Sequence, residues 1–262
     1  MATSKIERPW QSLFPNFPAH PGEGFHNSIF RGKNLGSAVT DAQWAAMSSG
    51  TCDNLFIGDY WTINSMNWRI AAFDYWYHFG DTRCSTHHVV IVPEKPLVTG
   101  SGHWLHGSTN TSGGYVGTDF YAGTNGNTVK AQCREAIQAA FGADHILTHR
   151  EYLCNSAADG YEQAAAWYDS DVELMTERMV FGEQISGNAR KPVDQPVMNT
   201  VDHMQLRLFA LARSYIYANA SRYWLRDLAS AGRFVMIDSA GMVSTRAAND
   251  TSVYIRPVFA IA

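Results

Sequence analysis

The chain has 262 residues, 45% of them hydrophobic and 13% aromatic, which is enough apolar side chain to close a core in one large or two small domains. Only 17% are charged, against roughly 25% in an ordinary soluble domain; this shortfall fits an assembly subunit whose neighbours cover much of its surface. A formal net charge of −4 with scattered Lys and Arg offers no basic field to a phosphate backbone, so composition argues against nucleic acid as a direct partner.

The first residues, Met1 to Glu7, are polar and lack the apolar stretch of a secretory signal. No run reaches the roughly 18 apolar residues that span a bilayer. The expectation is a chain made and folded in a cytoplasm, without membrane insertion. Arg8-Pro9-Trp10 and Phe14-Pro15-Asn16-Phe17-Pro18-Ala19-His20-Pro21 favour an extended course and cannot bury their own aromatics. Residues 1–50 are therefore expected to be an N-terminal arm with one short helix, either a strap over its own domain or an arm docking on another subunit through residues 6–24, and residues 51–262 a single domain.

Thr40-Asp41-Ala42-Gln43 is a capping box opening that helix, and Gly50 follows its end. Residues 55–57 and 60–63 are β-prone and lead through Asn64-Ser65-Met66-Asn67 into a strand over residues 68–73. A further strand covers residues 88–92 and ends at Pro93. Between residues 99 and 126 turn signals such as Gly113-Gly114-Tyr115 and Gly123-Thr124-Asn125-Gly126 predict a long ordered loop anchored by Trp104, Leu105, Tyr115, Phe120 and Tyr121.

Val129, Cys133, Ile137, Ala140 and Phe141 repeat at helical spacing up to Gly142. Ser170-Asp171-Val172-Glu173 has the form of a capping box for a second helix ending near Phe181-Gly182, and the acids Asp169 and Asp171 belong to that helix start. Residues 187–202, with Pro192 and Pro196, predict a loop, and residues 206–212 fit either strand or helix. The four cysteines, Cys52, Cys84, Cys133 and Cys154, have no paired spacing and are expected to be free and mostly buried.

The last forty residues predict sheet. Residues 233–238 and 242–246 flank Ser239-Ala240-Gly241 as a hairpin with a Gly bulge, and an alternating strand over residues 252–261 carries Arg256-Pro257. Trp224, Leu225, Phe234, Ile237, Val253, Ile255, Val258, Phe259 and Ile261 are the expected core. Arg233, Asp238, Ser244, Arg246, Asn249, Asp250, Thr251 and Tyr254 are the expected ligand-binding patch, a composition of adaptable polar contacts on a rigid sheet.

Tyr223-Trp224-Leu225-Arg226-Asp227, the x-Gly turn and Arg256-Pro257-Val258-Phe259-Ala260-Ile261 resemble the C-terminal pattern of a family of structural proteins of tailed bacteriophages. The likeness extends to residues 25–36, to Ile57-Gly58-Asp59-Tyr60-Trp61-Thr62-Ile63-Asn64, to Trp68-Arg69-Ile70-Ala71, to His149-Arg150-Glu151-Tyr152-Leu153 and to Ala166-Trp167-Tyr168-Asp169-Ser170. The resemblance implies an α+β, C-type-lectin-like fold with a twisted antiparallel sheet, two packed helices and long loops. It further implies a virion subunit that docks on other virion proteins, forms a homo-oligomer and offers its hairpin to a host surface glycan or protein. A purely architectural capsid or tail subunit is the alternative.

An enzyme of this fold is a third possibility. The resembling formylglycine-generating enzymes depend on a C-terminal cysteine pair, whereas no cysteine follows Cys154. The calcium-binding Glu-Pro-Asn and Trp-Asn-Asp motifs of lectins are also missing, as are phosphate-cradling and G-x-S-x-G motifs. His87-His88, His103 with His106, and His145 with His149 are close pairs without the H-E-x-x-H pattern. Neither catalytic residues nor a metal or other cofactor is expected.

Overall fold

A computed structural model describes residues 25–99, 105–107, 112–121, 129–158, 161–187, 200–201, 204–230 and 232–262. The proline-rich part of the expected arm and most of the loops expected over residues 99–126 and 187–202 lie outside the described residues. Within them the protein is mixed α+β, and its sheets are antiparallel.

Helix α1 (Asp41–Ser48) starts as the sequence predicts: the Thr40 hydroxyl accepts the Gln43 N–H, and the Gln43 side chain accepts the Thr40 N–H. Strands β1 (Tyr60–Ile63) and β2 (Met66–Phe73) follow, with Ile63 opposite Met66. Asn64 and Ser65 both take left-handed backbone, φ 52° and 61°, which makes a two-residue turn that follows strand twist. The turn is tighter than expected, and β2 begins two residues earlier. Residues 55–57 form no strand, because Ile57 makes only one bridge, to Phe30.

Strand β3 (Val89–Pro93) is buried throughout. Helix α2 (Val129–Phe141) lays Cys133, Ile137 and Phe141 inward and stops at Gly142, whose φ of 88° few other residues adopt. Strands β4 (His149–Leu153), β5 (Ser156–Ala158), β6 (Tyr161–Gln163) and β7 (Ala166–Ser170) make two small ladders, β4 with β7 and β5 with β6.

The expected capping box at Ser170 is corrected by the structure. Residues Val172–Leu174 are strand β8, and Glu173 is held by Lys130 Nζ at 2.8 Å, by the Tyr115 hydroxyl at 2.7 Å and by the Ser170 hydroxyl. A carboxylate fixed by three donors cannot turn back to cap a helix. The cap is Thr176, whose hydroxyl accepts the Met179 N–H at the start of the short helix α3 (Glu177–Phe181). Asp169 and Asp171 likewise pair with Arg150 and Arg134 instead of marking a helix start. Residues Arg207–Leu211 form helix α4, which buries Leu208 and Phe209.

Strands β9 (Tyr223–Ser230), β10 (Arg233–Ile237) and β11 (Val243–Ala247) form a three-stranded sheet in the order β11-β10-β9. The last strand, β12 (Pro257–Ile261), is shorter than the predicted residues 252–261 and completes a five-stranded sheet ordered β1-β2-β3-β12-β8. The first and last thirds of the chain thus share one sheet. Trp68, Phe141 and Phe259 meet there with ring centroids 5.5 to 5.7 Å apart. Fully buried Arg256 ties the halves further, donating from Nε to the Pro93 carbonyl at 2.8 Å and from a terminal nitrogen to the Tyr215 carbonyl at 2.9 Å. All nine apolar residues expected as core in the C-terminal stretch are buried.

Candidate functional site

In the expected patch, the β10–β11 register sets Arg233 opposite Ala247 and Arg246 opposite Phe234. Side chains alternate across a strand, so Arg233 shares one face with Thr245, while Ser244 and Arg246 share the other with Phe234 and Met236. Arg233 donates to the Thr245 carbonyl and hydroxyl. Asp238 accepts the Ala240 and Met242 N–H groups and so closes the turn, and Asp250 accepts the Ser252 N–H and hydroxyl. Tyr254 is half-buried, and its main chain bonds to Trp224 and Arg222. Arg246, Asn249 and Thr251 remain as an exposed group, with Arg246 Nε 3.9 Å from Asp250. The register brings part of the expected patch together and separates Arg233 from it.

A second site, which the sequence does not announce, surrounds β4. Along that strand His149, Glu151 and Leu153 point inward and Arg150 and Tyr152 outward, by the two-residue period of a strand. Glu151 is buried and accepts three donors: Trp76 Nε1 at 2.8 Å, Arg226 at 3.0 Å and His149 Nε2 at 3.3 Å. Burial alone raises a carboxyl, but here the Arg226 charge and the His149 hydrogen bond bring Glu151 down to about 2.

The Trp76 ring lies between two histidines, 4.0 Å from His149 and 5.9 Å from His88. His88 donates from Nδ1 to the Thr86 carbonyl and accepts the Trp76 N–H at Nε2. Burial pushes His88 down to about 4, so at neutral pH the ring is uncharged and its 3.8 Å approach to Asp74 is not an ion pair.

A cleft of about 330 Å³ reaches this cluster at His149, the one member that lines it and so links cleft to floor, and lies between residues 82–86 on one side and residues 147–150 with Asp169 on the other. Arg150 is held across it by Asp81, at 2.6 and 2.9 Å, and by Asp169 at 3.0 Å. Cys84 also lines it, but burial raises that thiol, so it is not an activated nucleophile.

The other face of β9 has the opposite character. Next to Arg226, Asp227 turns towards Glu162 and Glu177 and accepts the Glu177 N–H at 2.7 Å. Burial, followed by the charges of Glu162 and Glu177, pushes Asp227 up to about 8, so it keeps its proton at neutral pH. Glu177 accepts the N–H groups of Ile185, Ser186 and Gly187. A Cβ on Gly187 would come within 2.8 Å of Asp227 Cβ and of Glu177 Oε2, so this close approach requires glycine.

Of the close histidine pairs, His145 and His149 make separate contacts, His87 and His88 both approach Asp74, and His103 lies outside the described residues. His145 stacks on Trp44 at 3.7 Å and contacts the Ala262 main-chain oxygen, and His87 stacks on Tyr77 and pairs with Asp74. Among the described residues no group of three or more His, Cys, Asp or Glu side chains is arranged to hold a metal, and the four cysteines are free. Sequence reasoning missed the floor of the cleft, whose one local trace is polar His149 and Glu151 at alternating positions leading to apolar Leu153. No protein-family model, curated protein or solved structure matches the chain.

Proposed function

We propose that the chain is a structural protein of a tailed-phage virion that displays a polar surface for attachment to a host glycan or protein, and that it is not an enzyme. The observation carrying this reading is the β10–β11 hairpin. Phe234 and Met236 are buried on one face of the hairpin, while Arg246, their neighbour on that same face, and Asn249 and Thr251 on the loop that follows stand exposed. Adaptable polar groups on a rigid sheet suit recognition. The C-type-lectin-like assignment belongs to the same proposal. It is supported by β12 lying between β3 and β8, which returns the chain's end to the sheet begun by β1 and β2. Docking on other virion proteins through residues 6–24 and self-association are also proposed, from the low charge and the proline-rich, aromatic sequence.

One observation favours a purely architectural subunit: Asp238 and Asp250 spend their acceptors on their own turns. The two readings part at the particle surface. Antibodies raised against the hairpin should decorate intact particles in electron micrographs and slow their adsorption. Decoration without any effect on adsorption would leave the architectural reading, and undecorated particles that contain no copy of the chain would end both.

A further inference from the structure

We propose that the cleft between residues 82–86 and 147–150 binds a small polyhydroxylated acid, a sugar acid of the uronic type. Its assignment to a glycan-borne source rests on the attachment reading above; the chemistry of the cleft does not.

Three observations define the ligand. His149 lines the cleft and is only 5% exposed, and its Nδ1 is buried without a hydrogen-bond partner among the described residues. Nε2 faces the Glu151 carboxylate and donates to it, so Nδ1 is the ring nitrogen left over, and a ligand hydroxyl, which both donates and accepts, can fill it. Native proteins rarely leave such an atom unfilled, and a ligand hydroxyl supplies what is missing.

The second observation is charge. Arg150 is already neutralised by Asp81 and Asp169, whereas Arg83, exposed at the rim, pairs with no carboxylate among the described residues. The two guanidiniums and two carboxylates around the cleft balance, but Arg83 is the guanidinium without a direct carboxylate partner among the described residues, and it can take one anionic group, best a carboxylate in bidentate fashion.

The third is the rest of the lining, where Ser85, Thr86 and Thr148 are exposed and offer hydroxyls that both donate and accept. A volume of about 330 Å³ suits one small ligand. A neutral sugar leaves Arg83 unused. A simple carboxylate such as acetate has no hydroxyl for His149. A hydroxylated acid satisfies both ends.

The test uses the full chain, labelled for NMR, titrated with glucuronate, glucose and acetate. Glucuronate should shift signals from residues 82–86 and 147–150 in a saturable way and bind at least about tenfold more tightly than the other two, the difference of one charge-assisted hydrogen bond. Arg83→Ala should abolish that preference over glucose, and His149→Phe should weaken both sugars. Arg83 is exposed, so its variant reads out the preference even where His149→Phe fails to fold. Equal binding of all three probes, no saturable shift in the cleft, or an unchanged preference in Arg83→Ala would overturn the proposal.

The methyl glycoside of glucuronate, blocked as a glycan-linked unit is, separates the sources: retained binding supports a surface glycan, and lost binding supports a free sugar acid. Failure of this inference and failure of the attachment reading are distinguishable. A cleft that binds glucuronate in a chain missing from the particles keeps the cleft and removes attachment. Particles whose adsorption the hairpin antibodies slow, but whose cleft binds nothing, do the reverse.

Discussion

The hairpin and the cleft are both polar, but they dispose of their polarity in opposite ways. At the hairpin, Asp238, Asp250 and Arg233 bond to their own turn or neighbouring strand, and Arg246, Asn249 and Thr251 face water. Beneath the cleft, Glu151, Arg226, His149 and His88 are withdrawn from water, and His149 Nδ1 is left without a hydrogen-bond partner among the described residues. The difference shows that polar composition locates a surface, whereas the buried, incompletely satisfied group locates a candidate for specific chemistry. Removing a hairpin side chain should therefore change contacts with a partner, and removing a floor side chain should change the fold.

The largest expected effect is at the floor. Arg226→Ala leaves the Glu151 carboxylate buried without its guanidinium and should cost about 3–5 kcal/mol in urea unfolding. A loss below about 1 kcal/mol would mean that the floor is wetter than its burial indicates.

A pH scan of stability sharpens the contrast between the two faces of β9. Glu151 is depressed, so its contribution is present above the ordinary value of 4.5 and lost as pH falls towards about 2. His88, lowered from 6.5 to about 4, also loses stability as pH falls through that window. Asp227 is raised, so its contribution is present below 3.8 and lost as pH rises towards about 8. Between about pH 4 and 6.5 the His88 and Asp227 slopes oppose each other, which leaves a plateau. From pH 6.5 to 8 Asp227 acts alone and should remove about 2 kcal/mol, at about 1.4 kcal/mol per pH unit. Asp227→Asn should flatten that alkaline limb, and an unchanged limb would place the titrating group elsewhere.

Smaller effects belong to the hairpin. Gly241 closes its turn at φ 77° with ordinary contact distances to Tyr217, so Gly241→Ala should cost about 1–2 kcal/mol from backbone strain alone. Arg246→Ala and Asn249→Ala should stay within about 0.5 kcal/mol of the parent by thermal unfolding, as exposed substitutions do.

What the sequence made legible was local. The Thr40 and Gln43 cap, the Gly241 turn and the helical repeat ending at Gly142 each depend on residues within a few positions, and each is present. The pattern at Ser170 to Glu173 is equally local, yet it misleads, because Lys130 and Tyr115, distant in the chain, claim the glutamate. The cleft floor was hidden for the same reason: Glu151 meets both Trp76 and Arg226 across 75 residues of chain. The division of the hairpin patch follows from register, which places Arg233 and Arg246 on opposite faces although both are polar and near in sequence.

The most direct test of attachment through the hairpin is the adsorption rate of particles carrying Arg246→Ala with Asn249→Ala, compared with particles carrying Thr82→Ala at the cleft rim, all normalised to chain content. The hairpin pair should adsorb at least about tenfold more slowly at normal incorporation, as the loss of a hot-spot guanidinium of about 2 kcal/mol demands. Hairpin-substituted particles that incorporate the chain normally and adsorb at the parental rate would contradict it.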